Sequence, residues 1–231
     1  MAVKAIIFDV DGTLSETEEA HRQAFNATFK EFGLPWVWTQ ELYGELLKTT
    51  GGKERMTEYL INHLNQPADQ TKIAEIHVRK TEIYGALIAS GAAALRPGIA
   101  ALIEDAARNG VRVAIATTTN RPNVDRLAEA CFGKAAGDVF EVIAAGDEVK
   151  NKKPASDVFD LAVRGLGLDP SECVGLEDSR NGLLSCTGAG VACVVSPGVY
   201  TLGSDFSEAA AVIDCFSEID TVEKLNNLLG E

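Results

Sequence analysis

Five short apolar runs, none of them alternating with polar residues, constrain the fold of this chain more than any other feature. They are VKAIIFD (3–9), VRVAIAT (111–117), EVIAA (141–145), CVGLE (173–177) and VACVV (191–195). A strand with one wet face alternates, whereas a strand covered on both faces reads as a continuous Val- and Ile-rich run, the habit of parallel strands. Helical patterns separate the later runs, over 99–109, 122–132, 155–166 and 179–189. Strands alternating with helices predict a doubly wound α/β fold on a parallel sheet. Gly110 and Gly167 stand where helices would end, and Pro97, Pro122 and Pro154 fall near helix starts, where a missing N–H costs little.

The first run breaks this rhythm. From Ser15 to Ala89 there is no strand-like run but four helical stretches, at 16–32, 39–49, 53–64 and 69–88. Ala24, Phe25, Thr28, Phe29 and Phe32 supply one apolar face of the first stretch at helical spacing. The expected organisation is a Rossmann-like core of residues 1–15 and 90–231, with a small helical subdomain, 16–89, inserted after strand one. GAAALRPG (91–98) would be the return linker. Trp36 and Trp38 carry no evident chemistry, and packing is the expectation for both.

Two bulk properties limit the partners. The formal net charge of -13 argues against nucleic acid or an anionic membrane surface, both of which need clustered Lys and Arg. No stretch approaches the roughly 18 apolar residues of a membrane span. The five cysteines (Cys131, Cys173, Cys186, Cys193 and Cys215) follow no metal-ligand spacing and read as reduced thiols. With no signal-peptide pattern, the expected location is the cytoplasm, or a plastid stroma if a transit peptide has been removed. A monomer is the expected state.

Chemistry gathers at the ends of the runs, where open α/β sheets bind ligands. Run one ends in Asp9 and Asp11. In a strand, positions two apart share a face at about 6.5–7 Å, so the two carboxylates would repel unless a cation lies between them or one is protonated. An Asp-Gly hairpin is the plain alternative, but the residues after Gly12 have helical spacing. Run two ends in Thr117, Thr118 and Thr119, whose hydroxyls suit phosphate oxygens or, more plainly, a helix cap. Lys150, Lys152 and Lys153 follow run three, as a solvated loop or as neutralisers of phosphate charge. Run four ends in Glu177 and Asp178, helix-capping residues or oxygen ligands for a hard cation such as Mg²⁺.

Taken together, FDVDGT (8–13), Thr117, Lys153 and Glu177-Asp178 resemble the four ordered motifs of the haloacid dehalogenase superfamily of phosphotransferases. Within the inserted helices, ELYGELL (41–47), TTGGKERM (49–56) and RKTEIY (79–84) are similar to the CbbY subgroup of xylulose-1,5-bisphosphate phosphatases, to which beta-phosphoglucomutases are related. The resemblance implies a Mg²⁺-dependent phosphatase in which Asp9 is the nucleophile, Asp11 the general acid and base, and Thr117 and Lys153 hold phosphoryl oxygens. It implies Mg²⁺ on the Asp9 carboxylate, the Asp11 carbonyl and Asp178, with Glu177 nearby. It further implies that Glu18, His21, Tyr43, Thr50, Gly51, Gly52, Lys53, Arg55, Lys80, Thr118 and Asn120 bind a sugar bisphosphate, Lys80 on its distal phosphate. Where the mutase has a lysine, this chain has Asn120, which favours hydrolysis. A mutase-like isomerase remains open as an alternative, as does, more remotely, a non-enzymatic phospho-receiver domain.

Overall fold

The structure is a computed structural model describing residues 3–230. Six parallel strands lie in the order β3-β2-β1-β4-β5-β6. They are β1 (Ala5–Phe8), β2 (Arg112–Ala116), β3 (Val142–Ala144), β4 (Cys173–Glu177), β5 (Ala192–Val195) and β6 (Ala211–Val212). The five runs of the sequence are β1 to β5. β6, two residues long, was not foreseen, because so short a strand leaves no apolar run.

Period-two geometry divides β1 between two cores. Ile6 and Phe8 face one side with Leu102, Ile115 and Phe140, while Ala5 and Ile7 face the other with Phe159, Leu183 and Val195. Both faces are thus dry, which is why no run alternates. At Gly175 of β4, a Cβ would meet the Cys186 sulfur and, at 3.1 Å, the Phe159 ring, so the covering helices approach the sheet as closely as glycine allows.

The chain leaves the sheet after β1 and builds α1 (Glu18–Glu31), α2 (Gln40–Leu46), α3 (Gly52–Glu58) and α4 (Gln70–Leu87). A π-helical turn extends α3 over Tyr59–His63, and another extends α4 over Ile88–Ala92. This insert has a core of its own, in which Phe25, Phe29, Tyr43, Met56, Tyr59 and Ile76 close around Trp38. Trp38 is fully buried, and its indole N–H has no hydrogen-bond partner among the described residues. Trp36 packs edge-on against Phe29 and Tyr59. Both tryptophans are packing residues, as expected.

Exit and return are tied together. Ser15 Oγ donates to Ala94 O at 2.7 Å, Ser15 and Leu95 form an antiparallel bridge, and Arg96 N donates to Leu14 O at 2.9 Å. The remaining helices are α5 (Ile99–Arg108), α6 (Arg121–Phe132), α7 (Ala136–Val139), α8 (Asp157–Leu166), α9 (Arg180–Gly188) and α10 (Val222–Leu229). α10 had a legible signal, with Thr221 capping it and Val222, Leu225 and Leu229 turned inward. Among the described residues no helix is long and apolar enough to cross a membrane. All five cysteines are free.

Candidate active site

Asp9 and Asp11 lie beyond the strand that was expected to carry both. β1 stops at Phe8, and residues 9–15 form a loop turned by Gly12 at φ 92°, with Gly12 N donating to Ser15 O and Leu14 N to Val10 O. The two side chains both line one cavity but turn to different partners. Asp9 turns to Lys153, whose Nζ donates to Asp9 Oδ1 and to Glu177 Oε1, both at 2.6 Å. Asp11 turns to α1, where Thr17 Oγ1 donates to its Oδ1 and His21 Nε2 stands 3.0 Å from the same oxygen.

Four strand ends build this centre. Asp9 N donates to Leu176 O, holding the loop beside β4, and Ser196 N donates to Glu177 O from the end of β5. Lys153 follows β3 and is only 5% exposed. Asp9, Glu177 and Asp178 are all buried, and each offers a carboxylate oxygen within 4.8 Å of the others. Burial pushes the carboxyls of Asp9 and Asp178 up and that of Glu177 to about 8, against the attraction of Lys153. Three buried acids with one lysine leave surplus negative charge, and oxygen donors so placed fit a hard divalent cation.

Asp11 is the exception among the acids. Burial raises its pKa, but His21, Thr17 and Lys80 outweigh burial and hold it down at about 2. Lys80 Nζ contacts His21 Nδ1, the His21 ring stacks on Tyr84 at 3.9 Å, and burial brings Lys80 itself down to about 7.

A cavity of about 540 Å³ runs from this centre to the insert. Asp9, Asp11, Lys153 and Asp178 line it, with Glu18, His21, Thr50, Gly51, Gly52, Lys53, Arg55, Lys80, Thr118 and Asn120. Three expected residues stand behind the wall. Thr117 is buried with its Oγ1 accepting from Thr119 N at 3.2 Å, and Glu177 lies under Lys153. Tyr43 is fully buried in the insert's core, donating to Glu18 Oε2 at 2.7 Å and accepting from Arg55 Nη1 at 2.9 Å. Its aromatic body is anchored by Trp38 and Phe25, so it supports its neighbours from behind. Asn120 lines the cavity while its Oδ1 caps α6 by accepting from Asn123 N.

Several wall residues were missed. His77 precedes Lys80 by one helical turn, so their shared face was readable from spacing. Its pKa falls to about 3 through burial and through Lys80, Lys53 and Lys152. Lys152, read only as part of a lysine cluster, crosses to the insert and binds Glu54 at 2.9 Å. Asn181 Nδ2 donates to Lys48 O and Thr50 Oγ1, and Tyr200 OH donates to Glu19 Oε2, both also bridging sheet and insert. No local pattern marks those two.

A family model for haloacid dehalogenase-like hydrolases matches residues 3–190. The chain belongs to this family and is an enzyme of its phosphatase type. It is 54% identical over 217 residues to protein CbbY of Cereibacter sphaeroides, with 94% of each chain covered. Among solved structures it is similar to a mutant CbbY from Rhodobacter sphaeroides in complex with xylulose-(1,5)bisphosphate. The TM-score there is 0.93 at 52% identity, covering 96% of this chain and 99% of that one. Beta-phosphoglucomutase from Clostridium difficile, at TM-score 0.81 and 22% identity over 99% and 97% of the two chains, shares the fold.

Proposed function

We infer that the protein is a Mg²⁺-dependent sugar-bisphosphate phosphatase working through an aspartyl-phosphate, with xylulose-1,5-bisphosphate the first candidate substrate. The reading is carried by the cavity's two poles. At one end Asp9, Lys153 and Asp178 meet, and on the insert's side of the cavity Lys53, Lys80 and Lys152 bear on His77, Lys80 also contacting His21 beside Asp11. In a chain of net charge -13, so local a gathering of cations suits a second phosphate group.

Residues 16–89 then serve as a cap that presents the distal phosphate, and residues 1–15 and 90–231 as the catalytic core. Asp9, Asp178 and Glu177 would hold the cation with the Asp11 carbonyl, and bound Mg²⁺ would offset the repulsion between Asp9 and the phosphoryl oxygens. Asp9 attacks the phosphorus in line as the sugar oxygen leaves. Lys153 neutralises the shifting charge, with Thr117 setting the loop end that offers Thr118. Asp11 protonates the leaving oxygen and later takes the proton of the attacking water, His21 and Thr17 fixing its orientation. Glu18 and His21 face the sugar, and Gly51, Gly52, Lys53, Arg55 and Lys80 face its far end. The substrate is a small molecule, and a monomer suffices for this arrangement.

Phosphate release tests the reading. Wild type with Mg²⁺ should release one equivalent of phosphate from xylulose-1,5-bisphosphate and far less from sugar monophosphates, and Asp9→Asn should abolish turnover. Rearrangement without phosphate release would establish a mutase instead, and full activity of Asp9→Asn would remove the nucleophile.

A further inference from the structure

Arg96, in the return linker, is a part-buried cation that none of the chemistry above uses. Its side chain is 9% exposed, yet the nearest carboxylate, Glu16 Oε1, stands 3.6 Å from Nε and belongs to a half-exposed side chain. A guanidinium withdrawn from water needs its donors filled, and here backbone and hydroxyl oxygens fill them. Nη1 donates to Gly12 O at 2.7 Å and to Ser196 O at 2.8 Å, while Nη2 donates to Ser196 Oγ at 2.7 Å and Pro197 O at 3.4 Å. The plane lies over the Phe216 ring, 4.8 Å from its centroid.

These acceptors belong to two loops, one following β1 and the other following β5. Each loop presents a glycine to the same carboxylate. A Cβ on Gly12 would collide with Asp178 Oδ2, and a Cβ on Gly198 would lie 2.7 Å from that oxygen. Thr201 Oγ1, further along the second loop, donates to Asp178 O at 2.6 Å. The Asp178 carboxylate therefore sits between the backbones of two glycines, with Thr201 Oγ1 3.4 Å from its Oδ2, and the spacing of the two loops bounds its slot. A planar fork that grips both loops at once fixes that spacing in a way a point charge cannot.

We propose that Arg96 is a positioning residue: by clamping the Gly12 loop to the Ser196–Pro197 loop it sets the slot in which Asp178 is presented to the cation. This rests on the reading of Asp178 as a metal ligand. Groups that orient ligands from behind typically change metal affinity by about 10- to 100-fold when lost. Because Arg96 lies where the insert rejoins the sheet, the clamp also joins that return point to the cation seat.

The test is Mn²⁺ binding followed by electron paramagnetic resonance, with melting temperature in EDTA measured in parallel on wild type, Arg96→Met, Arg96→Lys and Asp178→Asn. Expected are binding by wild type, loss in Asp178→Asn, and an affinity about 10- to 100-fold weaker in Arg96→Met with Arg96→Lys between it and wild type. If Arg96→Met does not fold, Arg96→Lys, which keeps charge and most of the stem, decides alone. Lowered melting temperature with wild-type Mn²⁺ affinity in the folded variants would make Arg96 a merely structural residue and overturn the proposal while leaving the metal reading intact. Absence of Mn²⁺ binding by wild type would instead remove the metal reading, and the proposal with it.

Discussion

Lys153→Met offers a direct measure of how the acidic centre is held together. Lys153 Nζ is the shared donor to Asp9 and Glu177, and Asp178 closes the same group. Methionine is close to the lysine stem in length and removes the charge, together with the contact of Nζ with the Phe159 ring at 5.2 Å. Breaking a buried ion pair from one side costs about 3–5 kcal/mol, because an uncompensated charge is left behind. In a chain of this size each kcal/mol moves the melting temperature by about 2–4 °C, so the metal-free variant should melt roughly 6–20 °C below wild type near pH 8. The loss must shrink on acidification. Glu177 already titrates at about 8 when folded against 4.5 for a free glutamate, so in that window the folded chain holds the extra proton and stability falls as pH rises. Without Lys153 the folded value climbs further and the window extends upward, whereas near pH 6 Glu177 is protonated and needs no partner. Calorimetry in EDTA near pH 6 and pH 8 reads the difference directly. An equal loss at both pH values would mean that packing is what Lys153 supplies, and no loss at either would refute the charge argument outright.

Three further outcomes follow from the electrostatics of the site. Metal-free wild type should itself melt lower as pH rises from about 6 to 8, and its Mg²⁺ half-saturation should tighten over that range, because Asp9, Glu177 and Asp178 have raised pKa values and must shed protons to bind; a pH-independent Mg²⁺ affinity would contradict the raised values. In Lys152→Met, the ratio of kcat/KM for a sugar bisphosphate to that for its monophosphate should fall by about 10- to 100-fold, the worth of one charge-assisted hydrogen bond; an unchanged ratio would leave Lys152 as a partner of Glu54 alone.

The sequence announced most of what is local. The dry strands, their order of use, the helical insert and the loop-end residues Asp9, Asp11, Lys153 and Asp178 are all readable from runs a few residues long. What it concealed is where distant segments meet. Lys152 and Glu54 are 98 residues apart, Asn181 and Lys48 are 133 apart, and Tyr200 and Glu19 are 181 apart. Arg96 looked like linker because its partners are carbonyls, which carry no signature in sequence. Tyr43 was read as facing the ligand, since a tyrosine between helices can turn either way and only the packing of the insert around Trp38 decides. His77 was readable, three residues before Lys80, but histidine on a helix is as often packing as function.

The division between Asp9 and Asp11 explains why two acids so close in sequence are needed. Acid and base roles are usually recognised by environments that drive two pKa values apart. Here Asp9 is driven up by burial while Asp11 is held near 2 by His21, Thr17 and Lys80, which at face value would make Asp9 the acid and Asp11 the base. In the proposed mechanism a divalent cation held by Asp9, Glu177 and Asp178 would reverse the first of these, since positive charge favours the ionised carboxylate a nucleophile requires. An arriving phosphate reverses the second, because its negative charge disfavours an anion at Asp11 and so lifts that pKa toward the range where a proton can be given to a leaving oxygen. In the proposed mechanism each aspartate would therefore acquire its working state only when its own partner is present. Attack by Asp9 would wait on the cation and proton donation by Asp11 on the substrate, so neither group would be spent on water alone.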